Sequence, residues 1–215
     1  MNVQAMIPDF LALCHQVHAK GLTSSSGGNI SQRCGDQILI TPSGRSLQLL
    51  KPEDVVLMKL DGSYQSENGG IPSKEWRMHL CCYTREDVNT VIHVHSPNAT
   101  AISCLENADP ECAIPVYTPG FGVRVGRLPM LPYLVNGSAE LADAVAKVIE
   151  YRDSVLLANH GPLAVGATAE AALNIIEELE EEARLYFILG GKGRTLTPEQ
   201  QADLYPMGLR RTPKQ

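Results

Sequence analysis

Aromatic residues are scarce in this chain, at 5% with a single tryptophan, so leucine, isoleucine, valine and alanine must fill its core. An excess of basic charge is also missing: 18 Lys and Arg stand against 24 Asp and Glu, a net charge of −6. A general nucleic-acid or anionic-membrane binder needs a basic stripe, so neither partner is expected. The one block of like charge is acidic and short: Glu177, Glu178, Glu180, Glu181 and Glu182. No CxxC pair occurs among Cys14, Cys34, Cys81, Cys82, Cys104 and Cys112, which suit small buried hydrophobes better than a disulfide framework. The opening MNVQAMIPDFLALCHQVHAKG has no basic n-region, and Pro8, Asp9 and His15 interrupt its apolar stretch. Neither a signal peptide nor a membrane span is therefore expected, and the cytoplasm is the expected location.

What is present divides into one series of helices and strands. Phe10, Leu13, Cys14 and Val17 recur at helical spacing up to Lys20-Gly21. A glycine-rich loop follows over 23–29, then a strand over 37–40 that ends at Thr41-Pro42-Ser43-Gly44. Residues 54–60 read as another strand, closed by Asp61-Gly62. Ser73 is placed to cap a helix over about 74–83. Residues 89–95 form a β-branched strand, and Ser96-Pro97 opens a helix. The proline- and glycine-rich stretch 110–137 predicts loops and short strands. Ser138 starts a helix, 154–158 is a strand of buried type, and 169–189 is a long helix stopped by Gly190-Gly191. Thr197-Pro198-Glu199-Gln200 fits a capping box for a last short helix. With no repeat, low-complexity tract or linker, the expectation is one domain over 1–215.

The chemistry-bearing residues lie at the ends of these elements. His93 and His95 are two apart in a strand pattern, so they project together while Ile92 and Val94 project into the opposite layer. An isolated HxH is compatible with core histidines as well as with half of a metal site. His160, just past an apolar strand and before Gly161, would complete three imidazoles and leave open positions on zinc. Glu75, beside Ser73 and Lys74, is either a solvated helix glutamate or a carboxylate serving as ligand, general base or both. His79 lies on the same helix face and reads as a core or hydrogen-bonding histidine behind the ligands. The loops 26–29, 41–44 and 73–74 are either plain turns or a phosphate cradle of backbone N–H groups and hydroxyls.

In order, SSSGGNIS, TPSG, PSKEW, VIHVHS and LLANHG resemble the class II aldolase/adducin superfamily across nearly the whole chain. That resemblance implies an α/β fold: a three-layer α/β/α single domain with a mixed, largely antiparallel central sheet. It implies zinc, or manganese or cobalt in its place, held by His93, His95 and His160, with Glu75 as acid/base that also touches the metal. It implies a substrate phosphate at Gly28, Asn29, Ser43, Gly44, Ser73 and Lys74, and a homotetramer with active sites between subunits. HSPNATAISCL, YTPGFGVRVG and LPMLPY are most similar to the 3-oxo-tetronate 4-phosphate decarboxylase branch, which implies a carboxy-lyase acting on a small phosphorylated sugar acid. Fuculose-phosphate-type aldolases and ribulose-phosphate 4-epimerases share the site and are the alternative. A non-catalytic adducin-like scaffold would be expected to lose the ligands kept here. The aldolases place a tyrosine near the substrate where this chain has Gly120, with Tyr117 three residues earlier. Arg124 reads either as a group orienting the substrate carboxylate or as a surface or intersubunit ion pair.

Overall fold

The computed structural model describes residues 3–204; the ends of the expected 1–215 domain, 1–2 and 205–215, lie outside the described residues. In chain order the elements are α1 (Val3–Ala19), β1 (Asn29–Cys34), β2 (Gln37–Ile40), β3 (Val56–Lys59), β4 (Tyr64–Gln65), α2 (Trp76–Cys82), β5 (Thr90–His93) and α3 (Pro97–Ser103). Then follow α4 (Pro119–Arg124), β6 (Met130–Leu131), α5 (Ala139–Ile149), β7 (Ser154–Leu157), β8 (Gly161–Gly166), α6 (Ala169–Ile188) and α7 (Pro198–Leu204). The strands make one sheet in the order β4-β3-β2-β1-β5-β8-β7-β6. Every neighbouring pair is antiparallel except β6 and β7, so the sheet is mixed and largely antiparallel, as the resemblance implied.

Strand alternation divides the apolar side chains between two cores. Ile30, Leu39, Ile92, Val94, Leu156 and Ala164 face one side, against Phe10 of α1, Ile102 of α3, Phe121 of α4 and Ile176 of α6. Ile38, Ile40, Val91, Val155, Leu163 and Val165 face the other, against Met78 of α2 and Leu141 and Val145 of α5. Helices thus cover both faces, giving the three layers. Each large side chain buried this way contributes about 1.5–3 kcal/mol. No helix among the described residues is long and apolar enough to cross a membrane.

Some sequence expectations need correction. The helix expected from Lys74 begins at Trp76, with Glu75 at its N-cap; Ser73 Oγ instead accepts the Glu75 N–H at 3.3 Å. β5 stops at His93, because the next residues turn toward Ser96, the N-cap of α3, and His95 therefore lies in the link. β1 and β8 were not anticipated. β1 (NISQRC) is polar and is held in the sheet by β2 and β5 on its two sides. β8 opens with Gly161-Pro162, which reads as a turn, yet proline is tolerated at a strand start. The stretch 110–137 hides α4, whose N-cap Thr118 accepts the Phe121 N–H at 3.3 Å and whose first residue is Pro119.

Register then decides where the site lies. Asn29, the first residue of β1, pairs with His93, the last of β5. Leu157, the last of β7, pairs with Gly161, the first of β8. β2 ends at Ile40 on the same border, since its partner there is Ser31. One end of the sheet therefore collects residues 28–29, 41–44, 93–95 and 158–161.

Candidate active site

At that end three imidazoles converge. His93 Nε2 lies 3.2 Å from His95 Nε2 and 3.2 Å from His160 Nε2. Four ligands at about 2.0–2.1 Å around a tetrahedral zinc stand about 3.3 Å from one another, so this spacing fits a shared cation. His93 Nδ1 is 3.0 Å from the Pro162 carbonyl, which only accepts, so Nδ1 carries the hydrogen and Nε2 offers a lone pair. Burial, and then the neighbouring His160 and His95, push His93 well below 6.5; burial and His160 also lower His95. Both are thereby held neutral, the form a metal requires.

Glu75 sits against this cluster and is buried, at 6% exposure. Its Oε2 is 3.4 Å from His93 Nε2 and its Oε1 is 3.4 Å from His160 Nε2. Oε1 is buried and has no hydrogen-bond partner among the described residues. A buried carboxylate oxygen without a donor is costly unless a cation or proton faces it. The donor set, three imidazole nitrogens and one carboxylate, fits a divalent ion.

Local backbone makes this convergence possible. His160 ends a three-residue hairpin loop between β7 and β8, in which Asn159 takes φ +57 and its N–H is held by the Ser103 carbonyl at 2.9 Å. Gly161 follows at φ +146, and a Cβ there would lie 2.4 Å from the Val94 carbonyl oxygen. Only glycine lets the His160 turn approach the His93–His95 segment so closely.

The expected phosphate loops come together beside Glu75. Thr41 exchanges hydrogen bonds with Ile30, and the Ser73 N–H donates to the Thr41 carbonyl at 3.0 Å. The Ser43 N–H donates to Ile71 at 2.9 Å, and Pro42 bridges Pro72. Ser43, Gly44, Ser73 and Lys74 thus share one corner. Gly28 takes φ +74, and a Cβ there would sit 2.9 Å from the His93 carbonyl oxygen. Asn29 has contacts that the sequence did not predict: its amide nitrogen donates to Glu75 Oε2 at 2.9 Å and its amide oxygen meets His79 Nε2 at 2.5 Å. The second hydrogen of that amide nitrogen is used by neither contact.

Among the described residues, Arg124 pairs with Glu178 and not with the histidines or Glu75. Its Nη1 donates to Glu178 Oε1 at 3.1 Å on the exposed side of α6, matching the surface ion-pair reading. Gly120 lies against the same glutamate, 3.0 Å from Glu178 Oε1 at its Cβ position. The acidic run to which Glu178 belongs is more than a solvated face. Glu180 receives the backbone N–H groups of Asn98 and Ala99 at the start of α3, and the buried Glu182 receives those of Tyr117 and Thr118. Sequence reading missed these anchors, and it missed Ser31 and Tyr83 behind His79.

His79 is completely buried; burial, then the nearby His93, hold it down at about 3, with Glu75 opposing. An unfolded chain takes up a proton here below pH 6.5, whereas the folded chain resists it until about 3. Acid therefore favours the unfolded state. Stability should fall by about 1.4 kcal/mol per pH unit from this group once pH is well below 6.5. Urea unfolding at pH ~7 and ~5 should show that loss in the wild type and a smaller one in His79→Gln. Equal losses in both proteins would remove His79 from the acid sensitivity.

Comparison with known proteins agrees with this geometry. The family model described as "Class II Aldolase and Adducin N-terminal domain" matches residues 8–187. A 3-oxo-tetronate 4-phosphate decarboxylase of Pectobacterium atrosepticum is 40% identical over 86% of this chain and 85% of that protein. A 5-methylthioribulose-1-phosphate/5-deoxyribulose-1-phosphate aldolase of Escherichia coli is 37% identical over 84% of this chain and 83% of that one. The crystal structure of YgbL from Klebsiella pneumoniae, described by the three alternatives aldolase, epimerase and decarboxylase, superposes with a TM-score of 0.88 at 34% identity. That match covers 95% of this chain and 99% of YgbL. On the family match and these identities, the chain belongs to the class II aldolase and adducin N-terminal domain family.

Proposed function

We propose that this protein is a metal-dependent carboxy-lyase converting a 3-oxo-tetronate 4-phosphate to dihydroxyacetone phosphate and carbon dioxide. The observation that carries the chemistry is the meeting of three imidazole nitrogens with a buried, unpartnered oxygen of Glu75. The choice of substrate is supported by the named activity of the Pectobacterium relative. His93, His95 and His160 would hold the ion, zinc or else manganese or cobalt, with Glu75 beside it. When bound, such an ion supplies Lewis-acid stabilisation of negative charge on the substrate oxygens.

The chain's own residues do the rest. Gly28, Ser43, Gly44, Ser73 and Lys74 bind the phosphate through N–H groups, hydroxyls and one ammonium, which fixes the sugar acid in the corner beside Glu75. As the C1–C2 bond breaks, its electron pair passes onto C2 and the C3 oxygen, and carbon dioxide leaves an enediolate. Glu75, as a carboxylic acid, then delivers a proton to C2. The working form is proposed to be a cytoplasmic homotetramer of single-domain chains.

A second reading, sugar-phosphate aldolase, is supported by the Escherichia coli relative, because aldol cleavage forms the same enediolate. Gly120 in the tyrosine position favours decarboxylation, since carbon dioxide departs without needing a proton on oxygen. A C1-labelled 3-oxo-tetronate 4-phosphate should release labelled carbon dioxide and give dihydroxyacetone phosphate, with little cleavage of fuculose or rhamnulose phosphates. Efficient cleavage of those sugars without carbon dioxide would move the protein to the aldolase branch.

A further inference from the structure

We propose that Asn29, His79, Ser31 and Tyr83 are positioning residues for Glu75: a one-way chain of hydrogen-bond donors that fixes its carboxylate through Oε2. The inference rests on the lyase reading above and adds what holds the Glu75 carboxylate in place.

The chain is built from two facing periodicities. Glu75, His79 and Tyr83 recur every four residues along α2 and its two end positions, so they share one helix face. Asn29 and Ser31 alternate along β1 and share one strand face. The two faces interleave into the order Glu75, Asn29, His79, Ser31, Tyr83, with contacts of 2.9, 2.5, 2.7 and 2.7 Å. All five side chains belong to buried residues.

Direction follows from what each atom is able to donate. Asn29 turns its amide nitrogen to Glu75 Oε2, because an amide oxygen there would oppose a carboxylate oxygen. Its own oxygen therefore faces His79 Nε2 and only accepts, so Nε2 holds the imidazole hydrogen. His79 Nδ1 is left with a lone pair, to which Ser31 Oγ gives its single proton. The contact between Ser31 and Tyr83 must then use the tyrosine proton. Four donors meet four acceptors, all pointing toward Glu75. Away from water, such a satisfied chain polarises cooperatively and resists reorientation.

Two measurements test the proposal on the zinc-loaded protein. In ¹⁵N-histidine spectra of the wild type, His79 (assigned by its loss in His79→Gln) should be the neutral Nε2–H tautomer, opposite to the Nδ1–H form of His93. An Nδ1–H tautomer at His79 reverses the chain and overturns the proposal, and this readout needs no folded Asn29 variant. In Asn29→Ala, kcat should drop about 10- to 100-fold with KM, inorganic phosphate affinity and zinc content unchanged. A raised KM and weakened phosphate binding with kcat intact would make Asn29 a phosphate ligand and overturn the positioning role. If the wild type releases no carbon dioxide, the decarboxylase reading fails alone, and the tautomer still decides the chain.

Discussion

Metal content should fall from about one divalent ion per chain in the wild type to near none in a His93→Ala, His95→Ala double variant, and turnover should vanish with it. The two substitutions remove two of three neutral donors and leave His160 with Glu75, too few ligands to hold a divalent ion against water. The two substitutions differ in what they cost the fold. His95 is in a link outside the strand, so its removal costs little packing, whereas His93 is fully buried and its loss leaves a cavity beside β8. Circular dichroism and the unfolding midpoint therefore belong in the same experiment as elemental analysis. Chelation of the wild type should abolish turnover, and returning the ion should restore it. Full occupancy in the double variant would sink the assignment of these histidines.

Much of this site was legible because its parts obey short-range rules. His93 and His95 read as a pair from strand alternation alone, even though β5 ends at His93 and His95 lies beyond it. His160 read either as a histidine capping its strand or as functional, because a strand end before a glycine is where functional groups cluster on a rigid scaffold. The long helices α1, α5 and α6 were visible from their periodicity, and the capping box was too, with the Thr197 N–H donating to Gln200 Oε1 at 2.9 Å.

What escaped the sequence depends on tertiary partners. β1 carries Gln32 and Arg33, which no propensity places in a sheet; Arg33 stays because Tyr83, Arg85 and Val88 carbonyls receive its guanidinium. Asn29 looked like a phosphate ligand, since an Asn after two glycines suits an anion loop. Its engagement with Glu75 depends on a residue 46 positions away. The Glu75-His79 spacing was visible on one helix face, but only Tyr83 one turn further on, with Asn29 and Ser31 opposite, makes it a connected chain. The acidic run read only as a short block of like charge, because a sequence does not show which loop ends pack against a helix.

Glu75→Gln should lower turnover by roughly 10²- to 10⁴-fold while phosphate affinity and fold persist. The substitution is nearly isosteric, so the amide oxygen can still accept from Asn29 Nδ2 where Oε2 does now. Its NH₂ then occupies the place of Oε1, the buried oxygen that has no donor facing it. An amide holds no acidic proton near neutral pH, so the enediolate is left without its proton source. Water is a poor replacement, because the residue is 6% exposed and walled by His93 and His160. The same NH₂ turns a donor toward any bound cation, so metal content must be read in the variant itself. A loss of turnover with the ion retained assigns the defect to proton transfer, and a loss explained by metal release assigns it to binding. Near-normal carbon dioxide release with metal bound would take Glu75 out of the reaction altogether.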